Sequence, residues 1–263
     1  MFNKKINPNK LKPNTDFIAQ NVVYFKTVNS TNTLAKKTNC ENGTLFVAET
    51  QTDGKGRMER EWLSEKNCCI CMSIVLNPVT VIEAVAQITL VTGLAVCETL
   101  NKLFNLQFKI KWPNDIVING KKICGILVEG VTEGNKITKL IDGIGINVNQ
   151  KAFPDELKNK ATSLFLLTGK KNDRTKIINS FAEVFESYYT DFIDGNFESL
   201  MEKYKALCVT LNSNVTLIQN GETINAVATD ITEKGELTVK KEDGTFLNIN
   251  SGEVSVRGIY GYY

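Results

Sequence analysis

The stretch Lys111-Trp-Pro-Asn-Asp-Ile-Val-Ile-Asn-Gly-Lys-Lys-Ile-Cys-Gly-Ile-Leu-Val-Glu129 places two short apolar runs on either side of a tight turn. The runs at 115–118 and 123–128 are typical of buried strands, and the Asn119-Gly120 pair between them is a strong hairpin signal. Another β-like run precedes them at 107–112, and a longer one at 137–148 can return antiparallel. The stretch therefore predicts a β-sheet built around this hairpin.

Toward the amino terminus, strand and helix patterns alternate. They predict strands at 22–26, 43–49 and 69–76, a helix at 31–38 and a long helix after Pro78. Residues 1–20 are polar and contain Pro8 and Pro13, which predicts an extended segment rather than a packed element.

Toward the carboxyl terminus, the amphipathic stretch 174–207 predicts further helix, with its aromatic residues in the core. After Cys208 come five short β runs, separated by turn pairs such as Asp243-Gly244, which predict a small SH3-like β-barrel. We therefore expect an α+β protein with an extended segment at 1–20, a mixed-sheet domain at 21–207 and an SH3-like domain at 208–263.

Composition excludes several function classes. Thirty-one lysines and arginines nearly balance 29 aspartates and glutamates, which disfavours a nucleic-acid-coating or membrane-surface protein. The absence of histidine excludes Ser-His-Asp and Cys-His nucleophilic sites and the usual zinc-hydrolase ligands. Any chemistry must use lysine, arginine, carboxylate or backbone groups.

The seven cysteines lack the paired spacing of a metal site, which favours free thiols in a reducing cytoplasm. The amino terminus lacks the apolar core of a signal peptide, and polar residues interrupt the apolar stretch 79–106. We therefore expect a cytoplasmic protein without a metal-binding side-chain cluster and without membrane attachment.

The polar loop 51–62 combines glycines with basic residues. Gly54 and Gly56 let backbone amides approach an anion, while Lys55 and Arg57 neutralise phosphate charge. A loop of this kind binds phosphate, or it is an exposed basic loop in contact with solvent alone. The residues by themselves leave both interpretations open.

Three more motifs each allow two interpretations, one functional and one structural. The block 111–115 joins a cation, an aromatic ring, an amide and a carboxylate at a strand break, or it forms an ordinary Pro-Asn turn. Lys122 enters a strand in which Gly125 leaves room for a ligand, or it is a surface lysine before a bulge. Alternate glycines in 142–149 make a flat floor for a ligand, or they permit close packing.

The order and spacing of these blocks closely resemble the biotin protein ligase family, from Val23 to Val256, in the short form that lacks an amino-terminal DNA-binding domain. Other matching blocks are Ser30-Thr31-Asn32, Trp62-Leu63-Ser64, Ala161-Thr162-Ser163-Leu164 and Gly252-Glu253-Val254-Ser255-Val256-Arg257. The resemblance implies a catalytic core like that of class II aminoacyl-tRNA synthetases, at 21–207, followed by the SH3-like domain.

The resemblance also implies an activity. Such a ligase forms biotinyl-5′-AMP and pyrophosphate from biotin and ATP with Mg²⁺, and then transfers biotin to a lysine of a biotin carboxyl carrier protein. A homodimer is the implied assembly. Because only about twenty residues precede the core, we predict no DNA binding.

Matching positions give each residue an implied role. Catalysis falls to Arg57, Lys122 and Asp115, with Lys122 bonding the biotin carboxylate and the α-phosphate, and Asp115 near the incoming lysine. Biotin is contacted by Ser30, Thr31, Asn32, Gln51, Lys55 and Gly125. ATP or the adenylate is contacted by Gly54, Gly56, Arg57, Trp62, Lys111, Asn114, Asn147 and Arg257.

Two positions depart from the family pattern. Lys55 stands where arginine is usual, which keeps the charge but loses the planar fork and predicts weaker retention of biotin or adenylate. Glu59 replaces a glycine and adds a negative charge beside phosphate-binding groups. Three rivals stay open: a lipoate ligase, a non-catalytic biotin sensor, and a nucleotide-binding interaction protein that uses its tail for peptides.

Overall fold

The computed structural model describes residues 5–77, 83–133, 136–219, 222–250 and 255–257. Seven strands form the main sheet, in the order β1-β2-β3-β7-β6-β5-β4, with β1 parallel to β2 and every other pair antiparallel. Their bounds are β1 Val22–Phe25, β2 Leu45–Ala48, β3 Cys69–Leu76, β4 Lys109–Lys111, β5 Asp115–Ile118, β6 Lys121–Glu133 and β7 Lys136–Asn147. The predicted mixed sheet is confirmed.

The hairpin at the centre of the prediction forms between β5 and β6. Asn119 has φ 49° and Gly120 has φ 71°, the left-handed backbone that a tight hairpin turn requires and that asparagine and glycine adopt most easily. The resulting register pairs Asp115 with Gly125. A register shift between Ile116 and Val117 contributes to this pairing, so the turn and the shift together set the spacing between a carboxylate and a glycine on neighbouring strands.

Helices cover both faces of the sheet. Helix α1 (Thr31–Lys37) packs on β2, β3 and β7, and α2 (Glu83–Phe104) packs on β4 to β7 of the sheet and against α4 (Arg174–Ile193) and α5 (Phe197–Leu207). A short α3 (Leu164–Thr168) precedes α4. The aromatic stripe of α4 is core, as predicted: Phe181 and Phe185 stack with ring centroids 5.5 Å apart and are fully buried.

The segment before β1 is packed, so the expectation of an unpacked lead-in is wrong. Ile6, Leu11 and Ile18 are buried in the main core. The carboxylate of Glu186, on α4, accepts the backbone N–H groups of residues 16, 17 and 18 at 2.6, 2.9 and 2.7 Å. Isolated apolar anchors have no periodicity, which is why the sequence pattern did not reveal this packing.

A second, antiparallel sheet follows α5, in the order β11-β10-β9-β8-β12. Its strands are β8 Ser213–Gln219, β9 Glu222–Ile231, β10 Leu237–Lys241, β11 Phe246–Ile249 and β12 Ser255–Arg257. The predicted small β domain is confirmed, while its closure into an SH3-like barrel stays a prediction. Trp112 is buried and donates from Nε1 to the carbonyl of Gly235 at 3.1 Å, which joins this sheet to the core.

Within the described ranges, no helix combines the length and the apolar character that crossing a membrane requires.

Candidate active site

One pocket of about 930 Å³ opens above the sheet, between the start of α1, the loop after β2 and strands β5 to β7. It brings together nearly all of the residues that the sequence predicted for a site. Those in its wall are Ser30, Thr31, Asn32, Gln51, Lys55, Gly56, Arg57, Trp62, Lys111, Asn114, Asp115, Lys122, Gly125 and Asn147.

At one end of the pocket, uncharged polar side chains form a closed network. Thr31 donates from its backbone N–H and its hydroxyl to Gln51 Oε1, at 2.8 and 2.9 Å. Ser73 Oγ, fully buried on β3, lies 2.7 Å from Thr31 Oγ1 and 2.6 Å from Asn32 Oδ1. Buried polar groups that are hydrogen-bonded to one another hold a single arrangement. Because none of these side chains carries a charge, we call Thr31, Asn32, Gln51 and Ser73 the neutral end.

Asn32 lies directly over the sheet. Its Nδ2 donates to Glu129 Oε2 at 2.8 Å and to the carbonyl of Leu127 at 3.1 Å. A Cβ added to Gly143 would lie 2.1 Å from Asn32 Oδ1, a distance that no side chain tolerates. Gly143 is therefore required for the position of Asn32.

The floor of the pocket is the glycine face of β6 and β7, where Gly125 and Gly145 are paired across the strands. The Trp62 ring lies on this floor, because an added Cβ would meet it at 3.0 Å from Gly125 and at 2.4 Å from Gly145. Lys122 Nζ is 5.6 Å from the centroid of the same ring. The glycines therefore permit close packing of an aromatic ring on this face, and a ligand on the same floor stays a prediction.

Charged groups gather at the middle of the pocket. Lys122 Nζ lies 2.5 Å from Asp115 Oδ1, and their side chains are 25% and 16% exposed. Arg57 Nη1 donates to Asn114 Oδ1 at 2.9 Å. Burial lowers the pKa of the Arg57 guanidinium, and the charge of Asp115 opposes that shift. We call Arg57, Asp115 and Lys122 the charged centre.

The loop that carries Arg57 folds back on itself. Trp62 N–H donates to the carbonyl of Gly54 at 2.8 Å, and Gly56 N–H donates to the carbonyl of Arg60 at 2.7 Å. A Cβ added to Gly54 would lie 2.5 Å from the Trp62 carbonyl oxygen, so this glycine permits the close return of the chain. Gly54 is not in the pocket wall; its predicted ligand contact stays a prediction.

Lys122 is also held from a distant part of the chain. Its backbone N–H donates to the carbonyl of Lys160 at 2.8 Å, and Thr162 N–H donates to the Lys122 carbonyl at 2.9 Å. These bonds give the block 161–164 a structural role beside the pocket. The side chains of Glu59 and Arg257 lie outside the part of the chain that the structure describes in full. The expected effect of Glu59 and the expected ligand contact of Arg257 therefore stay predictions.

Sequence reasoning missed Ser73, Glu129 and Gln150 as members or supports of the pocket. Ser73 pairs with Gly143 in the strand register, which no local pattern shows. Glu129 ends the stretch 111–129, but the sequence pattern gave it no functional role. Across the described residues, no three carboxylate or cysteine side chains form a group that could hold a metal ion.

Comparisons with known proteins identify two matching family models. Residues 24–147 match the model of the biotin/lipoate A/B protein ligase family, and residues 210–257 match that of the biotin protein ligase C terminal domain.

Individual relatives are similar over most of their length. The chain is 36% identical to the bifunctional ligase/repressor BirA of Bacillus spizizenii, covering 88% of this chain and 72% of that protein. It is 29% identical to the biotin--[acetyl-CoA-carboxylase] ligase of Mycobacterium tuberculosis, covering 81% and 79%. A structure of the Aquifex aeolicus biotin protein ligase in complex with biotin and ATP superposes with a TM-score of 0.82 at 35% identity, covering 90% of this chain and 99% of that one.

Proposed function

The chain belongs to the biotin protein ligase family and is a ligase, and we propose that it forms biotinyl-5′-AMP from biotin and ATP and then transfers the biotin to a lysine of a carrier protein. The observation that carries the proposal is the pocket itself, in which a neutral end and a charged centre lie side by side on one glycine floor.

The neutral end suits the head group of biotin, which is uncharged but forms hydrogen bonds. Thr31 and Gln51 are bonded to each other, and Ser73 supports Thr31 from below. A network that is already ordered loses little conformational entropy on binding. We therefore assign this end to biotin.

The charged centre suits the first half-reaction. The carboxylate of biotin attacks the α-phosphate of ATP and releases pyrophosphate, so two anionic groups must come together. Arg57 and Lys122 would neutralise that charge as the new bond forms. The Lys122–Asp115 contact at 2.5 Å keeps the ammonium in place before a ligand enters.

We propose Mg²⁺ only as an ion that binds together with ATP. The donor set fits that form, because Mg²⁺ is usually held by one or two carboxylates plus substrate phosphates, and the carboxylate of Glu61 lies in the pocket wall outside the charged centre. When bound, the ion neutralises the charge of the leaving pyrophosphate.

In the second half-reaction the ε-amine of a carrier lysine attacks the acyl carbon of the adenylate, which forms an amide bond to biotin and releases AMP. That amine must lose a proton, and we assign Asp115 as the acceptor, since it is the carboxylate of the charged centre and histidine is absent from the chain. We propose a biotin carboxyl carrier protein as the partner, supported by similarity to the biotin--[acetyl-CoA-carboxylase] ligase of Mycobacterium tuberculosis. A homodimer stays a prediction.

The experiment measures pyrophosphate release and AMP-linked product from ATP, Mg²⁺ and biotin, and then adds a carrier domain. We expect adenylate that labels the carrier, and a fall of about 10²- to 10³-fold in adenylate formation for Lys122→Ala, as for the loss of a charge-stabilising donor. Lys121→Ala is the matched control, since Lys121 is outside the pocket wall and its Nζ bonds the carbonyl of Lys158. Tight biotin binding without adenylate would contradict the proposal and indicate a sensor.

A further inference from the structure

Glu129 joins helix α1 to strand β6 beside the neutral end, and the proposed reaction assigns it no role. Its Oε2 accepts from Asn32 Nδ2 at 2.8 Å, and its Oε1 forms an ion pair with Lys36. Asn32 and Lys36 are four residues apart, so they lie on the same face of α1, one turn from each other. A single carboxylate of the sheet therefore holds two successive turns of this helix.

Helix α1 has seven residues and depends on such contacts for its position. Helices this short are marginal in water unless tertiary contacts hold them. At its carboxyl end, Lys139 Nζ on β7 donates to the carbonyl groups of residues 35, 36 and 38 at 3.3, 3.0 and 3.1 Å. A cation there also interacts favourably with the negative end of the helix dipole. Charged side chains of β6 and β7 thus hold both the middle and the end of α1.

The Asn32 amide connects Glu129 to the pocket. Its Nδ2 has two hydrogens, and both are taken, one by Glu129 Oε2 and one by the Leu127 carbonyl. Its Oδ1 lies 2.6 Å from Ser73 Oγ. Turning the amide over would place its oxygen against two acceptors on β6. Glu129 therefore contributes to the choice of which half of the amide meets Ser73.

We propose that Glu129 is a positioning residue that holds the neutral end in its binding arrangement by acting through Asn32. Asn32 is 5% exposed, so removal of Glu129 would leave a buried N–H without an acceptor. A shift of the first turn of α1 relieves that cost. The same shift lengthens the two bonds from Thr31 to Gln51 Oε1, which are 2.8 and 2.9 Å. This inference rests on the proposed function, which assigns the neutral end to biotin.

The test is a double-mutant cycle on the dissociation constant for biotin, measured by calorimetric titration, together with the KM for ATP at saturating biotin. We expect Glu129→Leu to weaken biotin binding by about 10- to 30-fold, as for one unpaired buried donor, and to leave the KM for ATP within about twofold. Asn32→Ala combined with Glu129→Leu should bind biotin within about twofold of Asn32→Ala alone, because the two residues act as one unit. Glu133→Leu, at the exposed end of the same strand, is the control and should bind biotin as the natural chain does.

Unchanged biotin affinity in Glu129→Leu would overturn the inference, and so would losses that multiply in the double variant. An equal rise in the biotin constant and in the KM for ATP would indicate a general structural role and would also overturn it. Should Glu129→Leu fail to fold, Glu129→Gln decides: it keeps one acceptor and should weaken biotin binding by about 3- to 10-fold, and no change would overturn the inference. If the natural chain binds biotin but forms no adenylate, the proposed function fails while the cycle still decides this inference.

Discussion

The neutral end and the charged centre of the pocket share a floor but are built differently. At the neutral end, Thr31 and Ser73 are almost fully buried and are bonded to other protein groups. At the charged centre, the side chains of Lys122 and Asp115 are 25% and 16% exposed to solvent. The side chains of the neutral end are hydrogen-bonded to one another before a ligand binds, whereas the charged groups of the charged centre can still pair with a ligand. Recognition and chemistry are thus separated along the sheet.

The largest expected effect concerns the charged centre. Asp115→Asn should slow transfer from preformed biotinyl-AMP to the carrier by about 10²- to 10⁴-fold, because the proton acceptor is lost. Adenylate formation should change by less than about fivefold, since a partly exposed ion pair contributes up to about 1 kcal/mol. Single-turnover transfer measures the first rate, with the exposed Asp155→Asn as control. An unchanged transfer rate would remove Asp115 from the second half-reaction.

The next effect concerns the other face of the floor, where the sheet meets α2. Asp142 is fully buried next to Gly143, with Oδ2 accepting from Thr92 Oγ1 at 2.7 Å. Burial raises the pKa of this carboxyl from 3.8 to about 7, and the Thr92 hydrogen bond opposes the shift. Since the folded state holds the proton more tightly, this contribution to stability is complete below pH 3.8 and is lost as the pH rises through about 7.

Asp142→Asn should therefore flatten the dependence of stability on pH. At pH 8 the variant should be more stable than the natural chain by up to about 4 kcal/mol, and the difference should shrink at pH 5. Denaturant unfolding at both pH values measures it, and Asp155→Asn should stay within about 0.5 kcal/mol of the natural chain. Parallel pH profiles for Asp142→Asn and the natural chain would show that the carboxyl does not titrate in this range.

A smaller effect is expected at the neutral end. Ser73→Ala removes the support of Thr31 and Asn32 and should weaken biotin binding by about 5- to 30-fold, or roughly 1 to 2 kcal/mol. Calorimetric titration with biotin measures the loss, and ATP affinity should be unaffected. Ser199→Ala, at an exposed helix start, is the control. A loss shared equally by biotin and ATP would mean that the two regions are not separate.

The smallest effect concerns the loop. Lys55→Arg restores the planar guanidinium that the family resemblance leads us to expect and should slow release of the adenylate by about two- to fivefold. The half-life of protein-bound adenylate after removal of free ligands measures it, with Lys66→Arg as the control outside the pocket wall. Faster release from Lys55→Arg would show that the loop has adapted to lysine.

Local chemistry allowed much of this fold to be predicted. Asn119-Gly120 specified its hairpin, and the alternating glycines of β7 specified the floor, because backbone conformation and side-chain size are properties of single positions. Ser73 and Gln150 escaped notice because their roles depend on strand register and on contacts with Asn32 and Asn147. The order of the motifs along the sequence located the site. Contacts between residues that are distant in sequence decide which amide and hydroxyl side chains support it.

Activation of biotin as an adenylate in this pocket is the step on which the proposed function depends. The most direct measurement incubates the natural chain with ATP, Mg²⁺ and equal concentrations of biotin and lipoate, and identifies the small molecules bound to the re-isolated protein by mass spectrometry. We expect biotinyl-5′-AMP as the dominant product. Lipoyl-AMP in its place, or bound biotin without any AMP-linked product, would contradict it.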